Sequence, residues 1–471
     1  MSNKDPKIGE KKGFSLPHIF IILFGIVLVC AILTWIIPAG NFDRITDEAT
    51  GREVVVPGTW HEVDRTPIGF LQFFTCFFDG MVNAGEIIFF VFISFASTGF
   101  IIRSGAFDGL VSVLMKVFKG NSSVIIIPIF MALFGLGSST VGMFEEWLPF
   151  IPIFAAIFIG LGYDAIVGLA VVALGAGMGF SGATINPFTV GVAQGIAEVE
   201  YTSGAGFRII CHLAMLAVAA ALVMRYAVKI KKDPTKSLVY GDDFSAILDA
   251  DQGEEKAFGI QQKLVLADLL VGIIVVVWGV RANGWYFAEI SAVFLIMGIV
   301  AAIIMRNGLN DIGNHFAAGF QDACTACMMI GIARATLIVL QEGNIIDTVV
   351  YGLSLPLSHL PIWLSAIFML IMQTILNFFI PSGSGQAAVS MPIMAPMADL
   401  LGLTRDTAVL AYQFGDGLSN IVWPTAFAAI MSGLAGVKLD KWWKFIFPIF
   451  FCIIAVQPIL MVVAVISGFG A

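Results

Sequence analysis

The side chains with most chemistry to offer are ionisable groups embedded in apolar sequence. Asp416 stands between two glycines in Gln413-Phe-Gly-Asp416-Gly417, and Glu145 and Glu146 follow a glycine- and hydroxyl-rich run from Gly135 to Gly142. A charge among apolar residues is costly in lipid and is a functional candidate by default. Asp416 could neutralise a substrate ammonium, coordinate sodium or carry a coupling proton; the bland reading is a buried carboxylate satisfied by local amides. Glu145 and Glu146 could bind a cationic group, or complement a helix dipole. Arg334 could bind a carboxylate, but pairing with an acid is favoured. His212 reads as a packing residue, and Asp164 and Asp406, each shortly after a loop glycine, read as helix caps.

Polar uncharged clusters surround these groups at two matching places in the chain. The first pair is Gly135-Leu-Gly-Ser138-Ser139-Thr140-Val-Gly142 and Pro381-Ser382-Gly383-Ser384-Gly385-Gln386. Such clusters let the backbone leave a helix, which lipid forbids unless the freed amides and carbonyls line an enclosed cavity. With Pro149 and Pro152 mirrored by Pro392 and Pro396, the expectation is two re-entrant hairpins whose tips meet near mid-membrane. The second pair is Ser181-Gly-Ala-Thr184-Ile-Asn186-Pro187 and Gly415-Asp416-Gly417-Leu-Ser419-Asn420, ending in Trp423-Pro424. Asn186 before Pro187 predicts the N-cap of a new half-helix. Exposed half-helix N-termini suit a carboxylate, and unwound carbonyls suit a cation.

The elements that must hold these clusters are membrane helices. With 58% hydrophobic and 12% charged residues, the chain is no ordinary soluble protein. Apolar runs at roughly 19–38, 86–102, 122–136, 147–161, 206–228, 264–280, 286–305, 361–380 and 445–467 approach or exceed the ~20 residues of a bilayer-crossing helix. They exclude an outer-membrane barrel. The run from Ile19 is too long for a signal peptide's apolar core and predicts a retained first helix. The six cysteines fall mostly in apolar segments and read as packing residues; Cys324 and Cys327 lack partner ligands, so no metal is assigned. No cofactor and no nucleic-acid partner is expected.

The sequence also repeats. Gly105 and Gly343, and likewise Gly179 and Gly417, lie 238 residues apart in similar surroundings. Basic residues (Lys4, Lys7, Lys11 and Lys12; Arg225 to Lys236; Lys438 to Lys444) mark the cytoplasmic side, so the N-terminus is cytoplasmic, the polar loop near 41–66 external and the C-terminus external. Counting crossings from there inverts the halves relative to each other. The fold class is therefore an all-α polytopic membrane protein with two inverted-topology repeats, each carrying a re-entrant helical hairpin and a broken helix. Its divisions are 1–79 (tail, first helix and loop), 80–228 (first repeat and following helix), 229–262 (flexible cytoplasmic linker), 263–318 (scaffold helices), 319–437 (second repeat) and 438–471 (last helix).

Such an arrangement predicts a secondary transporter with a small-molecule substrate. A channel would need a continuous polar pore. An intramembrane aspartyl protease would need two paired aspartates, but Gln413 stands where the first glycine of Gly-x-Gly-Asp belongs, and the repeat pairs Asp164 more nearly with Asp406 than with Asp416.

Gly51-Arg-Glu-Val-Val-Val-Pro-Gly-Thr59, Gly331-Ile-Ala-Arg334, Gly343-Asn-Ile-Ile-Asp347-Thr348, Asn377-Phe-Phe-Ile-Pro381-Ser-Gly-Ser-Gly-Gln386 and Gln413-Phe-Gly-Asp416-Gly resemble the YfcC-type transporters. These stand with the anaerobic four-carbon-dicarboxylate carriers in the ion transporter superfamily. The resemblance implies a bacterial inner-membrane carrier, a homodimer moving by an elevator-like step. It implies a site of Ser138, Ser139, Thr140, Asn186, Ser382, Gly383, Ser384, Asp416 and Asn420, to which the residue chemistry adds Glu145 and Glu146. The expected substrate is a basic amino acid, arginine or ornithine, carried or exchanged; the alternative is a four-carbon dicarboxylate or another organic anion. The coupling ion is left open between sodium, near Ser139, Thr184, Asp416 and Ser419, and a proton.

Overall fold

The computed structural model describes residues 17–46, 53–56, 58–106, 109, 113, 120–200, 202–245, 247–248 and 258–470. The N-terminal lysines, Asp108 and the acidic run from 251 to 256 lie outside them. Among the described residues are seventeen α-helices and four short strands.

In the first half these are α1 (Ile19–Ile36), α2 (Phe70–Asn83), α3 (Gly85–Arg103), α4 (Ile126–Thr140), α5 (Phe150–Gly160), α6 (Ala165–Ser181), α7 (Val190–Ile196) and α8 (Ala205–Lys232). The second half contains α9 (Ile260–Asn283), α10 (Phe287–Ile304), α11 (Leu309–Glu342), α12 (Ile346–Ser354), α13 (Ile362–Phe379), α14 (Gly383–Leu401), α15 (Arg405–Ser419), α16 (Ala428–Leu434) and α17 (Leu439–Ser467). The loop after α1 is two small antiparallel sheets: β1 (Gly40–Asn41) with β4 (His61–Glu62), and β2 (Arg44–Thr46) with β3 (Glu53–Val55).

Among the described residues, eight helices are long and apolar enough to cross a bilayer: α3, α8, α9, α10, α11, α13, α17, and α4 with the turn before it. One of them, α11, is absent from the apolar runs read off the sequence, because Asn310, Asp311, Asn314, His315, Gln321 and Asp322 interrupt its first half. Conversely, the run 147–161 yields only the eleven-residue α5.

Several elements recur at the spacing of the glycine pairs. The pair α7 and α16 is offset by 238 residues at both ends, and the breaks before them, 182–189 and 420–427, are offset by the same amount. The long α11 answers α2 and α3 together. Its counterpart is interrupted only at Ala84, where the backbone (φ −87°, ψ 6°) leaves the helix for one residue.

Packing separates the helices into two groups. One is α1, α2, α3, α9, α10 and α11; the other is α4 to α8 with α13 to α17. They meet chiefly where α11 lies on α16 and where β3 lies on α14.

The linker is not free over its first part. Ser237 Oγ and Tyr226 OH each donate to Asp164 at 2.7 Å, and Lys441 pairs with Asp242 at 2.6 Å, so the segment straps across the ends of α6, α8 and α17. Asp164 caps α6, accepting from Val167 N at 3.0 Å, as expected. Asp406 does not cap α15: Thr404 does, accepting from Thr407 N at 3.2 Å. Asp406 instead lies within α15 and pairs with the fully buried Arg208 at 3.5 Å.

Candidate functional site

Glycine- and hydroxyl-rich clusters in the sequence were expected to mark the breaks, and each helix ends inside or at the edge of its cluster, in two cases a few residues past the glycines themselves. α4 runs through Gly135 to Thr140 and breaks at Val141; α15 runs through Gly415, Asp416 and Gly417 and breaks at Asn420. Close packing is the reason. A Cβ at Gly415 would lie 2.6 Å from Thr374 N, one at Gly137 would lie 2.5 Å from the Trp147 ring, and one at Gly417 would run into the Ser181 backbone. These glycines bring helices together instead of ending them. Asn186 is likewise not the N-cap of α7, which begins after Thr189. Its Oδ1 accepts from Phe188 N (2.8 Å) and Thr189 N (3.2 Å), shaping the turn ahead of the half-helix.

In each half, one residue near the end of the helix before the tip ties down the broken helix. Ser139 Oγ donates to Gly182 O at 3.3 Å and Thr184 Oγ1 at 3.2 Å, while Thr184 N donates to Ser139 O at 2.9 Å. At the equivalent position, Asn377 Nδ2 donates to Asp416 O at 3.1 Å, Ser419 Oγ at 2.7 Å and Asn420 Oδ1 at 2.9 Å. Ser138 is engaged at the first tip, donating to Met143 O and accepting from Trp147 Nε1 at 3.0 Å. Thr140 spends its hydroxyl on Leu136 O of its own helix at 2.7 Å. Glu146 Oε2 accepts from Phe144 N at 2.9 Å and shapes the same tip.

The turns after α4 and α13 make contact with the opposite halves. Phe144 packs its ring on Phe427 with centroids 4.9 Å apart, and a Cβ on Gly383 would meet Thr189 at 2.6 Å and Asp416 Oδ2 at 3.4 Å. Phe427 and Thr189 are equivalent positions, so each tip rests on the other half's break. Ser382 caps α14, accepting from Gly385 N at 3.4 Å, and Ser384 lies in its first turn.

Asp416 is fully buried, and neither carboxylate oxygen has a hydrogen-bond partner among the described residues. Its electrostatic neighbour is Glu145, which also interacts with Arg334. Arg334 is not paired as the sequence suggested: it makes no hydrogen bond or ion pair with any described residue. Among the described residues no cluster of three metal-ligating side chains occurs. Hydrogen bonds join Ser139 to Thr184 and, separately, Asp416 to Ser419 through Asn377; none joins the two pairs.

A cavity of about 490 Å³ opens beside the N-terminus of α14, lined by Arg334, Ser382, Gly385, Val389, Asn344 and Asp347. At its rim Arg44 binds both oxygens of Asp347 at 2.9 Å, and Phe42 N donates to the same carboxylate at 2.9 Å. The sequence reading placed Asn377 in a family motif without a role in the site, and did not single out Thr189 or Tyr412, whose hydroxyl holds Gly383 O at 2.6 Å. The repeat spacing, applied residue by residue from Ser139, points directly to Asn377.

The model of the family "C4-dicarboxylate anaerobic carrier" (DcuC) matches residues 16–466. A protein of Haemophilus influenzae with no assigned function is 30% identical over 97% of this chain and 98% of its own length. A protein of Escherichia coli, YfcC, provisionally named a basic amino acid antiporter, is 32% identical over 92% of this chain and 93% of its own. Two solved structures are similar along their length: MtrF of Neisseria gonorrhoeae, of a class described as antimetabolite efflux pumps (TM-score 0.45, 19% identity, 96% of each chain), and the YdaH transporter of Alcanivorax borkumensis (TM-score 0.44, 16% identity, 96% of this chain and 99% of that one).

Proposed function

The chain belongs to the DcuC family of C4-dicarboxylate anaerobic carriers, and we propose that it is a secondary active transporter moving a basic amino acid, arginine or ornithine, by alternating access or exchange. It works in a bacterial inner membrane with its N-terminus cytoplasmic and its C-terminus external, as a homodimer whose inverted halves present re-entrant tips to a shared substrate site. Coupling is to sodium or protons, or rests on exchange alone.

The observation that carries the substrate reading is Asp416. A carboxylate sealed from water without a donor within reach is costly to keep charged. A cationic ligand arriving beside it, with Glu145 acting on the same space, offsets that cost. The substrate's carboxylate would fall toward the α14 N-terminus, where free amides and the helix dipole favour an anion. The name of the E. coli relative agrees with this choice.

The second reading, a four-carbon dicarboxylate, draws on the family's name and on Arg334 lining the cavity. Counterflow in proteoliposomes separates the two. Labelled arginine or ornithine should exchange in the wild-type protein and cease to exchange in Asp416→Asn, with and without a sodium gradient. Succinate counterflow indifferent to both amino acids would refute the first reading in favour of the second.

A further inference from the structure

This protein contains two arginines deep among its helices, and it treats them differently. Arg208 is fully buried, lies 3.5 Å from Asp406 and donates to the carbonyls of Thr184 (3.4 Å) and Ser203. That is how a structural arginine is accommodated away from water: a carboxylate stands beside it as counter-charge and two backbone carbonyls accept from Nη2. Arg334, in the apolar part of α11, has no such set. No described carboxylate lies within 4.0 Å of it, and it makes no hydrogen bond with any described residue; its electrostatic interactions are with Glu145 and Tyr286. Its side chain lines the 490 Å³ cavity beside Ser382 and Gly385 of the α14 N-terminus. The volume falls in the roughly 300–1,000 Å³ range of small-molecule sites.

The repeat sharpens the contrast. Backbone breaks occur in both halves, but the charges occur once: 238 residues from Arg334, Glu145 and Asp416 stand Ala96, Gly383 and Met178. The duplicated scaffold therefore does not require these charges. They belong to something the scaffold holds.

We propose that Arg334 is the residue that receives the carboxylate of the transported solute, in a cavity it shares with the amino end of α14. A guanidinium presents a planar fork of donors matched to a carboxylate, and the half-helix amides supply further donors from the facing side. The cationic part of an amino acid then points toward Glu145 and Asp416. Because Arg334 lies on α11 and the other groups lie on the second helix group, bound solute bridges the two groups. The assignment deepens the transport reading and rests on it for the existence of a solute; it holds for any carboxylate-bearing one.

The test compares each acid with its amide. Binding of L-arginine and L-argininamide, and of succinate and succinamate, is measured on the purified full-length protein, as wild type, Arg334→Gln and Arg334→Lys. Wild type should prefer the acid by roughly tenfold or more, the value of a charge-assisted bond. In Arg334→Gln the acid should weaken by about that factor and the amide by less than about threefold, so that the preference collapses; Arg334→Lys should restore part of it. Equal weakening of acid and amide would overturn the assignment. Binding of succinate without arginine would refute the amino acid reading alone, and the succinate pair would then decide Arg334. A ligand-independent measurement covers the remaining case. With the six native cysteines replaced, Val389→Cys on the cavity wall should react faster with an anionic than with a cationic methanethiosulfonate, and Arg334→Gln should abolish that bias. An unchanged ratio would also overturn the proposal.

Discussion

Asn377→Ala should destabilise the protein markedly more than Ser139→Ala, although the two residues occupy equivalent places. The single Asn377 amide serves three acceptors around the end of α15. Its removal leaves the Asp416 carbonyl without that donor and Asn420 Oδ1 without its amide, both in buried residues; Ser419 keeps its bond to Gly415 O at 2.6 Å. Two buried acceptors losing partners cost about 2–4 kcal/mol, before any loss of packing. In the first half the backbone shares the work. Ser139 O accepts from both Thr184 N (2.9 Å) and Thr184 Oγ1 (3.1 Å), so deleting the hydroxyl leaves Thr184 tied to the backbone and deprives Gly182 O (3.3 Å) and Thr184 Oγ1 (3.2 Å) of one shared donor, at about 1 kcal/mol. Thermal unfolding of both variants in the same detergent should therefore rank Asn377→Ala below Ser139→Ala by a few degrees. A Tm for Ser139→Ala equal to or below that of Asn377→Ala would refute the claim that Asn377 is the principal tie on the broken end of α15.

Arg208→Met should destabilise by about 3–5 kcal/mol by leaving Asp406 buried without its counter-charge, though still accepting from Ser203 Oγ at 2.6 Å, and Arg208→Met with Asp406→Leu should recover much of the loss, read as detergent Tm. Gly417→Ala drives a Cβ into the Ser181 backbone and should lower the folded yield on size exclusion, whereas Gly313→Ala, with nothing within 4 Å, should leave Tm unchanged or raised. Asp416→Asn should abolish counterflow while leaving the size-exclusion profile intact.

Much of this architecture was legible because membrane helices advertise themselves and because the glycine pairs gave the repeat spacing. The same spacing holds for α7 and α16 to the residue. Not every glycine of those clusters marks a break, because glycine carries two meanings. It permits the backbone to leave a helix, and it permits helices to touch; at Gly135, Gly137, Gly415 and Gly417 the second meaning holds, and only the neighbour across the contact decides between them. Asp406 misled for a related reason: Thr404, two residues earlier, offered an equally good cap, and the buried partner at 208 is remote in sequence. Arg334 was read toward pairing because an intramembrane arginine ordinarily finds an acid, and which acids come within reach is a property of the packing alone. Asn377 shows the opposite case, since its place was encoded in the spacing and needed only the second half to be superposed on the first.

The crossed contacts of the tips carry a consequence for biosynthesis. A ribosome delivers α1 to α8 to the membrane well before Gly383 exists, so the irregular backbone at 182–189 enters without the cover that Thr189 finds on Gly383. Phe144 likewise waits for Phe427. Insertion can proceed helix by helix, but the middle of the molecule closes only when late residues reach early ones. A chain terminated in the linker would leave the early half with hydrogen-bonding groups that lipid cannot satisfy, a ready target for membrane proteolysis.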